Sequence, residues 1–154
     1  MTDPTPSPAD AIKIQEFVRE LTEFAHKAES TLTTIEADME ANKGLFSVFA
    51  EMMFTIRGTA QQLEFPNIAL IAGLGEEIGI KGAVAATRPQ IRKCVGSLWD
   101  ALTSVKYLLT HPNEETGDEQ EILVNRLQTT LKAFGGARPI VNEDDIEALL
   151  RGRD

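Results

Sequence analysis

Cysteine is nearly absent: Cys94 stands alone, so no disulfide closes within the chain and no cysteine-based metal site can form from it. Positive charge is also scarce. Fifteen Lys and Arg face 24 Asp and Glu, giving a formal net charge of −9 and a pI near 4.7. No Lys/Arg cluster interrupts that acidity, which argues against nucleic acid and anionic membrane as partners. No apolar run approaches the roughly 18 residues of a membrane span. The first residues also lack a charged stretch followed by an apolar one, so the expected compartment is the cytoplasm. Trp and Tyr occur once each, and histidine only as His26 and His111. No cofactor is expected.

What the chain does have is helical periodicity. Met1 to Ser7 reads as a disordered leader, and Ser7-Pro8-Ala9-Asp10 as a helix start with Ser as cap and Pro first. A stripe through Ile14, Phe17, Val18, Leu21, Phe24, Ala25, Ala28, Leu32, Ile35 and Met39 predicts one long helix, stopped around Asn42-Lys43-Gly44. A second helix is expected from about Leu45 to Glu64, broken by Pro66, and a third from about Asn67 to Ala86. The third carries Ile68, Leu70, Ile71, Leu74, Ile78 and Ile80, but also Gly73, Gly75, Gly79 and Gly82. Interior glycines each cost up to ~1 kcal/mol in a helix, so the face of Ala72, Gly75, Gly79, Gly82/Ala83 and Ala86 needs a reason. One is close approach of a neighbouring helix within the bundle; the other is self-association with a second copy of the chain.

Thr87-Arg88-Pro89-Gln90 opens a fourth helix, with Ile91, Cys94, Val95, Leu98, Trp99, Leu102, Val105 and Leu109 on its stripe and a stop at Thr110-His111-Pro112. A fifth is expected over Asp118 to Phe134, through Ile122, Leu123, Leu127 and Leu131, closed by Gly135-Gly136. The fold class is all-α: an antiparallel four-helix bundle over residues 8–134, with the fifth helix alongside. Residues 135–141 read as a linker and 142–151 as a short peptide helix.

The second helix holds the most informative stretch, Phe54-Thr55-Ile56-Arg57-Gly58-Thr59-Ala60 and then Phe65. Its core stripe is expected at Leu45, Phe49, Met52, Ile56, Ala60 and Leu63, which puts Phe54 on the opposite side with Ser47, Ala50, Gly58 and Gln61. A large aromatic on a solvent face asks for a function, unless the fifth helix or a second copy covers it. The stretch resembles the signature helix of histidine-phosphotransfer (HPt) domains, including that of the chemotaxis kinase CheA. That helix reads roughly His-(Thr/Ser)-(Ile/Leu)-Lys-Gly-(Ser/Thr)-Ala, followed by Gly-Phe. Thr55, Ile56, Gly58, Thr59, Ala60 and Phe65 match, Arg57 replaces lysine, and Phe54 stands at the phospho-accepting histidine. The resemblance implies an HPt-like bundle without its nucleophile, retaining a surface (Phe54, Arg57, Gly58, Gln61) for a CheY-like response-regulator receiver. His26 and His111 lie in no matching context, so no phosphate uptake is expected.

The tail adds a second resemblance. Asn142 is positioned to cap a short helix with Asp145 in its first turn, and Ile146, Leu149 and Leu150 share one face. So short a helix is not stable alone, so its apolar face suits a partner's groove or folds back on the bundle. The segment Val141–Leu150, with Ile146, Ala148, Leu149 and Leu150 matching, resembles the CheY-binding peptides of FliM and CheZ. The function implied is receiver binding without phosphate transfer. The CheZ resemblance brings an alternative, a receiver phosphatase. Such an enzyme orients water with an amide side chain beside an acid, for which Gln61 with Glu64, or Glu121 with Asn125, are the candidates.

Overall fold

The computed structural model describes residues 8–111 and 117–134. Within them the chain forms α1 (Pro8–Ala37), α2 (Leu45–Gln62), α3 (Pro66–Ala83), α4 (Arg88–Thr110) and α5 (Asp118–Ala133), with no strand among the described residues. Helix α1 packs on α2, α2 on α3, α3 on α4 and α4 back on α1, with no close backbone approach between the diagonal pairs. Short connections over 38–44, 63–65 and 84–87 turn the chain back each time. The result is an antiparallel four-helix bundle, with α5 lying against α3 and α4 only.

Local chemistry fixes the ends. Thr87 and Gln90 form a reciprocal capping box at the start of α4: the Thr87 hydroxyl accepts from the Gln90 N–H at 3.3 Å, and the Gln90 amide oxygen accepts from the Thr87 N–H at 3.1 Å. Pro66 begins α3, where its missing N–H costs nothing. Helix α1 stops at Ala37, ahead of the glycine expected to end it. There the Asp38 carboxylate accepts from the Ala41 N–H at 3.1 Å, and the Asn42 amide donates to the Thr34 carbonyl at 2.9 Å. These side chains offer the backbone an alternative to another helical turn. Across the bundle, Lys106 donates to Glu29 at 2.7 Å, linking α4 to α1, and this hydrogen bond holds the Glu29 carboxyl below its ordinary range.

The core is Leu21, Ala25, Ala28, Leu32 and Ile35 from α1 against the buried stripes of α2, α3 and α4. One expectation changes here. On α2 the fully buried residues are Phe46, Phe49, Met53, Ile56 and Ala60, while Leu45, Met52 and Leu63 are only half-buried and Ala50 is buried. The core sector is rotated by one residue at its edges, because α3 offers its glycines to α2. A Cβ on Gly79 would meet the Ala50 Cβ and the Phe46 carbonyl oxygen, both at 3.2 Å, and one on Gly82 would lie 2.6 Å from the Phe46 ring. The small-residue face of α3 is therefore taken up within the bundle and is not the place for a second copy. Leu70 and Ile80, expected in the α3 stripe, are exposed.

Phe46 is fully buried and has no room to swing away from an added methyl at Gly82. Overpacking of this kind costs about 1–3 kcal/mol, only partly offset by the up to ~1 kcal/mol alanine gains in helix propensity. Gly82→Ala should lower the urea unfolding midpoint, by roughly 1–2 kcal/mol of stability. An unchanged or higher midpoint would mean the α2–α3 contact is looser than described.

Candidate functional site

Met53 and Phe54 are neighbours on α2 and point to opposite environments. Met53 fills the space beside Gly75 of α3 and is fully buried; Phe54, about 100° further around the helix, is 54% exposed. Helix α5 has no close backbone approach to α2 and none of its described residues lines the hollow around Phe54, so α5 does not cover it. Two α3 and post-α3 residues extend the apolar patch: Ile80, 44% exposed, and Val84, 73% exposed. Together with Ser47, Ala50, Glu51, Glu76 and Ala83 they line a shallow depression along the α2–α3 seam. Phe54, Ile80 and Val84 thus form one open apolar patch.

Arg57 lies one turn after Phe54 and is held in place twice. Its guanidinium carbon is 5.0 Å from the Phe54 ring centroid, a cation–π distance. Its Nη1 is 3.2 Å from the Glu76 carboxylate, and Glu76 is 8% exposed. The Arg57 stem also lies over Gly73, where a Cβ would be 3.3 Å from its Cδ. The side chain thus folds back on α3 between the Phe54 hollow and a second depression, lined by Arg57, Gln61, Pro66, Leu70, Gly73 and Glu77 among others. Gly58 has no atom within 4 Å of the place its Cβ would occupy. Unlike the α3 glycines, it has no packing reason to be glycine.

The α2 candidates therefore come together: Phe54, Arg57, Gly58 and Gln61 share one face, with Gln61 exposed. Glu64 is exposed at the end of that helix and has φ of 61°. The Phe65 N–H reaches back to the Ala60 carbonyl at 2.9 Å and the Glu64 N–H to the Gln61 carbonyl at 3.2 Å, the Schellman closure that normally takes glycine at the left-handed position. Glu121 and Asn125 are exposed on α5, which packs on the α3–α4 side; the two acid–amide pairs do not form one site. His26 is solvent-facing on α1, 3.8 Å from Glu29. His111 stacks on Tyr107 with ring centroids 4.4 Å apart, beyond the last turn of α4. Neither histidine belongs to the α2 face. The tail residues Asn142, Asp145, Ile146, Ala148, Leu149 and Leu150 lie outside the described residues.

Compared with protein-family models, with curated proteins and with solved structures, the chain matches none at a significant level. Among the described residues no group of His, Cys, Asp or Glu is arranged to hold a metal ion, and no described helix is long and apolar enough to cross a membrane. Cys94 is buried in α4, and that burial pushes its thiol up to about 11, away from nucleophilic chemistry.

Sequence reasoning missed the α3 half of this face: Glu76, Glu77, Ile80 and Val84. A signal was present, since Ile80 falls off the glycine face and Glu76-Glu77 is the only acidic pair in an otherwise apolar helix. Glu64 supplies a direct test of the geometry beside the site. A non-glycine residue in the left-handed region costs about 1–2 kcal/mol, partly offset by glycine's greater freedom when unfolded. Glu64→Gly should raise stability by about 0.5–1 kcal/mol, or Tm by roughly 1–4 °C. A fall in Tm on thermal melting would contradict the Schellman closure.

Proposed function

We propose that this chain is a pseudo-phosphotransfer protein: it binds a CheY-like response-regulator receiver through the α2–α3 face and carries no phosphate itself. The observation that carries the proposal is Phe54, half-exposed on a helix of an antiparallel bundle, at the position that the HPt resemblance gives to the phospho-accepting histidine. A phenyl ring has no lone pair to attack a phosphoryl group. It does offer apolar area, worth about 25 cal/mol per Å² when a partner covers it, and Ile80 and Val84 enlarge the patch.

Gly58 supports the same reading. It forgoes up to ~1 kcal/mol of helix propensity with nothing packed against it, which makes sense where another protein's backbone approaches. Gly96, exposed in α4, is equally open and serves as its control. The tail, Val141–Leu150, is proposed to grip a second face of the same receiver, and its tether converts two weak contacts into one useful affinity through effective concentration. The proposed setting is the cytoplasm.

A receiver phosphatase is the second reading. Gln61 favours it, since its amide is exposed and lines the depression beside Arg57 and Glu77; Glu121 and Asn125 lie on a helix that packs on α3 and α4 instead.

Binding of the full chain to a panel of receivers tests these readings. Phe54→Asp should reduce affinity at least tenfold, and Ile146→Asp with Leu149→Asp should do likewise, both leaving the thermal melt essentially unchanged. Gly58→Ala and Gly96→Ala should each stabilise the bundle by about 0.5–1 kcal/mol, but only the former should weaken binding. Receiver phosphate lifetime should be unaltered by the protein; a shortened lifetime that Gln61→Ala restores would replace the binder with the phosphatase. Unchanged binding by Phe54→Asp would remove the proposed face.

A further inference from the structure

The charges around Phe54 go further than the docking reading on which this inference rests. Helices α2 and α3 carry three carboxylates, Glu51, Glu76 and Glu77, and two cations, Arg57 and Lys81. Lys81 lines neither depression. The hollow that holds Phe54 is bounded by Glu51 and Glu76 and by no cation. Arg57 lies at its edge, and its guanidinium is committed to the Glu76 carboxylate at 3.2 Å and to the Phe54 ring at 5.0 Å. Its side chain is only a quarter exposed, so little of its charge faces a partner.

A docked anion would therefore meet the Glu51 carboxylate and an Arg57–Glu76 pair whose charges offset each other. An apolar anchor flanked by lysine or arginine would meet the opposite: a ring and two aliphatic side chains to cover, and Glu51 to pair with. We infer that the Phe54 face takes the receiver in its phosphate-free form, and that its two carboxylates set this preference, Glu51 by its own charge and Glu76 by holding Arg57 against α3. Phe54 removes the nucleophile; Glu76 removes the cation that would have welcomed a phosphoryl group. Freed from Glu76, Arg57 could swing outward and favour the phosphorylated form instead.

The experiment measures affinity of the full chain for a receiver with and without beryllofluoride, which mimics the bound phosphoryl group. The parent should bind the unloaded receiver at least fivefold more tightly. Glu51→Lys, at an exposed position where folding is not at stake, should cut that ratio severalfold, and Glu76→Gln should cut it or reverse it. Because Glu76 is nearly buried, a thermal melt accompanies that variant; if it fails to fold, Glu51→Lys alone decides. A parent that binds both forms equally, or the loaded form better, overturns this inference while leaving the docking face intact. A ratio unmoved by the folded variants overturns it as well. Absence of binding to either form overturns the docking reading itself, and this inference with it.

Discussion

The close packing of α3 on α2 is the constraint on which the rest depends. Gly75, Gly79 and Gly82 let α3 approach until Met53, Ala50 and Phe46 fill the places of their missing side chains. Once those three residues are committed to α3, the rotation of α2 is fixed. Ile56 and Ala60 then fall in the centre of the bundle, and Phe54 has nowhere to go but outward. The glycines lose up to ~1 kcal/mol each in helix propensity; burial of Phe46 and Met53, at about 1.5–3 kcal/mol per large apolar side chain, offsets that loss. The exposed aromatic is thus a consequence of how the core is built, not a loose residue on an otherwise ordinary helix.

The same packing brings the α3 side of the face into position. Glu76 lies where Arg57 can reach it, and Ile80 with Val84 continues the apolar surface begun by Phe54. At that helix there is no imidazole, and the nearby cation is paired with Glu76. What the surface offers is shape and apolar area. Receiver binding without group transfer is the proposal most economical with these features, and the acidic rim is the basis of the inferred preference.

Much of the fold was legible in the sequence because periodicity and breakers agree. The spans of α4 and α5 follow from their stripes and from Thr87, His111 and the glycines after Phe134. The rotation of α2 was not legible, for a physical reason. Its apolar residues come in adjacent pairs, Leu45-Phe46, Phe49-Ala50 and Met52-Met53, and a helical stripe alone does not say which member of a pair turns inward. The glycines of α3 settle that, and they act across the bundle rather than along the chain. Leu70 and Ile80 misled in the same way: both are large and apolar, yet α3 turns Ile68, Ile71, Leu74, Ile78 and its glycines inward and leaves these two outside. On the site, Phe54, Arg57, Gly58 and Gln61 were readable as one face from their spacing. Their partners on α3 were not, because no pattern within α2 reveals which residues of another helix lie beside it. Glu64 in its left-handed turn was equally hidden, since the sequence places glutamate where this closure favours glycine.

The proposed face is tested most directly by mapping backbone amide shifts of the isotope-labelled full chain as an unlabelled phosphate-free receiver is added. The account predicts perturbations concentrated at 47–61 on α2 and 76–84 on α3, together with 141–150 in the tail, and little change on α5. Shifts centred on α4 and α5, or on the tail with none around Phe54, would contradict it.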